Sequence, residues 1–339
     1  MTNRKLMTFI LTVPGMLVLI LDSRTGFAAA REGIDLCIVT LIPSMFPFFF
    51  LSILMTGSLA GQTIRFLRPV AKLCRIPEGA ESLIVIGLLG GYPVGAQNII
   101  SAYHQGVLSR EDAQRMAVFC NNAGPAFLFG YLGTLFHNPI YSWILYGIQV
   151  ASSLIVGWVL PGGTRVSSSG TSYKQIPIAQ ALNQAIKVMG QVCGWVILFR
   201  VLIGFLDRWL FWVLPDQLGI FFTGLLDLSN GCNMLAALPS DGLRMVMASA
   251  FLGFGGICVL LQTYSIAGAV SLPMYLPGKV LQGCISFVLA YLVQFFLPNA
   301  DPCMVPPVIF MGIGCIFVCL LLVLRKDGNN SSNLCESIV

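Results

Sequence analysis

The stretch LIVIGLLGGYPVGAQNII, residues 83–100, is apolar enough to enter a bilayer, yet Gly90, Gly91, Pro93 and Gly95 fall at its centre. Proline removes a backbone donor, glycine weakens a helix, and hydrocarbon offers no water to satisfy the groups set free. Broken backbone persists at membrane depth only against protein or a water-filled cavity. A chain containing such a break must therefore enclose it with other helices. The composition suits that demand. Of 339 residues, 56% are hydrophobic and 10% charged, and the mean hydropathy is +0.84; soluble domains carry about 25% charged residues.

A crossing takes about 20 apolar residues. Whole spans are expected near 6–22, 36–60, 111–136, 139–160, 189–213, 243–268, 275–297 and 302–324. Two further stretches, 82–108 and 217–239, are interrupted in the middle and read as re-entrant hairpins. Residues 61–80 are basic and expected at the interface, and 161–175 form a linker. The N-terminus mimics a secretory signal, but Asp22, Ser23 and Arg24 separate its apolar run from Ala28–Ala30. That separation favours an uncleaved first span. With the N-terminus inside and both hairpins returning to their own side, fourteen of the nineteen Lys and Arg lie inside, Lys279 and Arg115 among them. Four (Arg24, Arg31, Arg208, Arg244) lie outside, and Arg200 lies within a span. This agrees with the positive-inside rule and puts both termini in the cytoplasm.

The two halves share a plan. AAAREGIDL and PIAQALNQAIKV each precede a span and are amphipathic enough to lie along the membrane surface. Each half continues with a span, a broken hairpin, a span broken in its middle and another span. GLLGGYPVGA (87–96) answers GLLDLSNGCN (224–233), and NNAGPAFLFG (121–130) answers GFGGICVLLQ (253–262). One unit begins outside and the other inside, so the repeats are inverted, the plan of secondary transporters that bind substrate where the breaks meet. The expected class is an all-α polytopic membrane protein of about eight spans. Its expected units are a first span and the start of a surface helix (1–30), repeats at 31–160 and 176–297 joined by the linker 161–175, and a final span and tail (298–339).

Four breaks would converge on one polar cavity, where helix N-termini with free N–H groups suit an anion. The first hairpin offers Gly91, Tyr92, Pro93, Gly95, Gln97 and Asn98. The first broken span offers Asn121, Asn122 and Gly124, whose amides either line the cavity or cap the broken helix. Asp227, Ser229 and Asn230 cluster in the second hairpin. Asp227 is open to three readings: a site for a coupling proton or cation, a helix cap, or the partner of an arginine. Gly255 and Gly256 form the fourth break, with Gln262 two turns on. Arg200 is expected to bind a substrate carboxylate or to pair with Asp227. The eleven cysteines are scattered, and there are two histidines. No metal site is expected, and no HExxH or GxSxG points to an enzyme.

GGYPVGAQNIISAYHQGVLSREDAQRMAVFCNNAGPAFLFG, together with GLLDLSNG and GFGGICVLLQ, resembles the YlbJ (SpoVV) sporulation integral membrane proteins. These fall in a wider group with the nucleoside-recognition "gate" domain, related to concentrative nucleoside transporters. The resemblance covers about residues 30–325. It implies a bacterial endospore-former membrane transporter in the cell or forespore membrane, moving the small organic anion dipicolinic acid. Asp227 and Ser229 stand where such relatives often have Glu and Thr. The alternatives are a nucleoside transporter, in which Arg200 has no evident job, and a non-transporting structural protein of sporulation. Lipid and the anion are the expected partners, with no nucleic acid. Nucleoside-transporter relatives suggest a homo-oligomer, a trimer. A coupling proton or sodium stays open, and no cofactor is expected.

Overall fold

The computed structural model describes residues 3–59, 64–161, 176–268, 270–294 and 296. The span expected at 302–324 and nearly all of the linker lie outside them. Among the described residues all regular structure is helical. Five helices are long and apolar enough to cross a membrane: Ser23–Thr56, Ile140–Val159, Ile178–Trp209, Asp241–Ala267 and Tyr275–Gln294. The chain is an all-α polytopic membrane protein.

Helix α1 (Asn3–Leu21) exposes Met16, Leu17, Ile20 and Leu21, as a lipid-facing helix would. Helix α2 (Ser23–Asp35) is capped by Asp22, which accepts from the Thr25 N–H. It runs through a π-helical turn (Leu36–Leu41) into α3 (Ile42–Leu59). The wide turn sits just before Pro43, whose nitrogen has no proton for the preceding turn. After a short α4 (Arg68–Leu73) comes a hairpin, α5 (Ser82–Gly90) and α6 (Val94–His104). Next is α7 (Arg110–Phe119), which breaks and resumes as a π-helical turn (Ala126–Tyr131). Helix α8 (Ile140–Val159) closes the unit. The second unit repeats this order: α9 (Ile178–Trp209), the hairpin α10 (Asp216–Leu226) and α11 (Leu228–Met234), the broken pair α12 (Asp241–Phe254) and α13 (Gly256–Ala267), then α14 (Tyr275–Gln294).

Length explains why the hairpins do not cross. Nine residues of α5 rise about 14 Å and eleven of α10 about 17 Å, roughly half of a 30 Å hydrocarbon core. The inversion is visible where the first spans of the two units meet. Gly26 faces Phe205, Ala29 faces Gly204, Gly33 faces Arg200, and the Cys37 thiol reaches the Cys193 carbonyl. Residue numbers rise along one helix as they fall along the other, so α2 and α9 are antiparallel.

Two expectations change. The amphipathic leaders are not separate surface helices: each is continuous with its span, and the first packs along the span part of α9, between Cys193 and Phe205. Arg115 is not a loop charge either. It is buried and pairs with Asp112 at 3.3 Å, donating also to the Cys74 and Arg75 carbonyls. Its counterpart Arg244 pairs with Asp241 at 3.0 Å and donates to the Leu238 and Leu135 carbonyls. Both broken spans thus begin with a Ser cap, then Asp-x-x-Arg-Met, and both arginines collect carbonyls that other segments leave free.

Candidate functional site

Each hairpin tip is seated on the break of its own unit. Gly91 turns the first tip with φ +75°, and a methyl there would stand 2.9 Å from the Gly124 nitrogen. Only glycine combines that dihedral with so close an approach. The peptide between Tyr92 and Pro93 is cis. Pro125, which has no N–H to give, follows directly on the unwound residues 121–124. In the second unit Asp227 turns the tip in extended conformation, and the φ of Gly255 and Gly256 are +86° and +83°. Gly256 lies against Asp227 and Leu228.

The tips and breaks meet on one small cavity of about 30 Å³, room for about one water. Tyr92 comes to it from the first tip, Ala123 and Gly124 from the first break, Asp227 and Ser229 from the second tip, and Gln262 from beyond the second break. Met45, Phe127, Val192, Val196 and Val259 supply apolar wall. The cavity is therefore less polar than the sequence suggested. A wider cavity of about 410 Å³ is lined by Glu32, Asp35, Thr40, Arg200, Asn230 and Asn233. The two come together at the second tip, where Asn230 Nδ2 donates to Asp227 Oδ1 at 2.8 Å.

The helix N-termini at the tips are not open. Asn121 Oδ1 accepts from the Ala96 N–H of α6 at 3.1 Å, and Asp227 Oδ1 accepts from the Asn230 N–H of α11 at 2.7 Å. The N-terminus of α13 has no side-chain cap. Asn121 Nδ2 donates to Tyr275 at 2.8 Å and to Thr263, while Asn122 donates to the Phe119 carbonyl and to Ser153. Both amides are fully buried and hold the break in shape.

Beside them lies a group the sequence reading counted among the loop charges. Lys279 of α14 is 1% exposed. Its Nζ donates to the Asn121 carbonyl at 2.5 Å, to Gln282 Oε1 at 2.9 Å and to the Tyr92 hydroxyl at 3.0 Å, and Asn122 Oδ1 stands at 3.5 Å. The Tyr92 ring centre is 5.0 Å away, within cation–π range. Among the described residues no carboxylate lies within ion-pair distance of Lys279.

No protein-family model matches the chain, and no solved structure matches it. The sporulation integral membrane protein YlbJ of Bacillus subtilis is 23% identical over 320 aligned positions, covering 79% of this chain and 78% of that protein. The chain is a distant relative of YlbJ. The family read from GYPVGA and NNAGP is thereby supported across most of the chain.

The structure brings together Gly91, Tyr92, Gly124, Asp227, Ser229, Gly255, Gly256 and Gln262, with Asn121 and Asn122 as their frame. Pro93 starts α6, and Gly95 packs against the Cys120 carbonyl and Asn121. Asn98 bonds back to the Val94 carbonyl of its own helix, and Gln97 beside it is half-buried; neither lines the cavity. Arg200 departs furthest from expectation. It does not pair with Asp227. It binds Glu32 through Nε at 2.9 Å and Asp207 at 3.2 Å, and these carboxylates neutralise it at the wall of the wider cavity. Besides Lys279, sequence reading missed Gln149, Ser152, Gln282 and Ser286, all buried, through which α8 and α14 hold the first break and each other. The signal was present: Lys279, Gln282 and Ser286 recur at helical spacing on one face of a span.

Proposed function

We propose that the protein is a membrane carrier, not an enzyme, that moves a small organic anion by alternating exposure of the cavity framed by the two tips and two breaks. The observation that carries this reading is the convergence of Tyr92, Gly124, Asp227, Ser229 and Gln262, from both repeats, on that one cavity. The wider cavity leads to it past Asn230 and Asp227, so the second tip is the element that moves to admit substrate. Dipicolinic acid, the substrate implied by the YlbJ resemblance, is the first candidate, during endospore formation and at the cell or forespore membrane. The relative's description as a sporulation membrane protein supports that setting.

Lys279 supports an anion over a neutral nucleoside. Among the described residues no carboxylate offsets this buried cation, and its positive field reaches the cavity across one tyrosine. Arg200, already bound to two carboxylates, is not the charge an anion would seek. Asp227 sits on the cavity wall, and a bare carboxylate there repels an arriving anion. A proton entering on Asp227 with the substrate removes that repulsion, which makes Asp227 the coupling group. Both termini are read as cytoplasmic.

Uptake of labelled dipicolinate into proteoliposomes tests the reading. Saturable uptake, accelerated by an inward proton gradient and indifferent to excess uridine, is expected. In Asp227→Asn the acceleration is lost. Uridine transport in place of dipicolinate would give the protein to the nucleoside reading. Transport of neither by folded protein would leave a structural role in sporulation.

A further inference from the structure

The surroundings of Lys279 are unusual for a buried ammonium. Burying a charge costs several kcal/mol after relaxation, and the ordinary remedy is a carboxylate partner. Here four oxygens surround Nζ, and all are neutral: a backbone carbonyl, two amide carbonyls and a phenol. They come from three segments, the first hairpin tip (Tyr92), the first helix break (Asn121 and Asn122) and α14 (Gln282). The Asn121 carbonyl is free because α7 has already ended at Phe119. Gln282 turns its Nε2 to Asn122 Oδ1 at 2.7 Å, which leaves its own Oε1 facing Nζ. Neutral carbonyl and hydroxyl oxygens held at a break in a helix are the ligand set of a hard monovalent cation. The cage does not need a lysine as such; it needs one positive charge.

We propose that the Lys279 ammonium is a tethered cation, filling an oxygen cage between the first hairpin tip and the first broken span that would otherwise take a free monovalent cation. The chain thus carries its own ion at this junction. Given the carrier reading above, on which this inference rests, the first tip stays clamped to its break without sodium, and movement is left to the second tip.

The test needs no substrate, so its result is separate from that of the uptake assay. Thermal unfolding of the full chain in detergent is followed at equal ionic strength in sodium, potassium, ethylammonium or choline chloride. Choline is too bulky for the cage. Wild type should unfold at the same temperature in all four. Lys279→Ala and the smaller polar replacement Lys279→Ser should unfold several degrees lower in choline and recover in at least one of the other salts. Lys279→Met, which fills the space without charge, should show no salt preference. The inference is overturned if neither Lys279→Ala nor Lys279→Ser gains stability from any of the three small cations, whether because they unfold in every salt or respond to none. It is equally overturned if wild type itself is stabilised by sodium over choline.

Discussion

Gly231 faces Gly224 across the second hairpin so closely that a methyl on it would stand 2.2 Å from the Gly224 Cα. A backbone atom cannot move aside as a side chain can, so Gly231→Ala should cost at least about 1–3 kcal/mol. Gly147, in α8, has nothing within 4 Å of the same position, and Gly147→Ala should leave the melting temperature unchanged or slightly raised. Asn121→Ala strands the Ala96 N–H in a dry interior and should cost about 1–3 kcal/mol. Thermal unfolding in detergent reads all three. At this scale the sequence was partly legible. The breakers and the paired asparagines announced themselves because apolar spans do not tolerate them idly. Lys279 did not, because a lysine near the start of an apolar run looks like a loop charge until the tip and break that surround it are in place. Arg200 misled for the converse reason: its partner Glu32 lies on a helix far away in sequence, and spacing holds no trace of that pairing.

Among elements, the hairpins and broken spans were legible because glycine and proline act locally. How they seat was not, since each tip is held by a break some thirty residues away. The Asp-x-x-Arg-Met clamp shows what a repeat comparison confined to the breakers overlooks. Asp112 and Arg115 are both buried, and removing one leaves the other charge uncompensated, so Asp112→Ala should destabilise by about 3–5 kcal/mol. His137 also leans on Asp241, but the second clamp is more exposed, so Asp241→Ala should cost distinctly less. Melting temperatures of the two variants in one buffer decide the order. The equivalence of the clamps also fixes the pairing of α7 with α12 more firmly than the glycine-rich breaks alone.

For the whole molecule, the repeat was legible in its order, and the charges that remain in loops give an expectation for which side each loop faces. Replacing the native cysteines and placing single ones at Gly106, Asn138, Pro215 and Pro239 should give labelling by a membrane-impermeant thiol reagent from the inside at the first and from the outside at the other three. A Gly106 cysteine labelled from the outside would mean that the first hairpin crosses. The joining of surface leaders to their spans was not legible, because amphipathicity does not say whether the partner is lipid or the other repeat. The central claim is that the tips and breaks frame the substrate's path. Labelling of Ser229→Cys, on the wall of the cavity, tests it most directly in a background without native cysteines. Labelling by the same reagent, slowed by dipicolinate and unaffected by uridine, is the expected result. A folded Ser229→Cys protein that carries dipicolinate yet stays unlabelled, or labels at a rate dipicolinate does not change, would contradict the account.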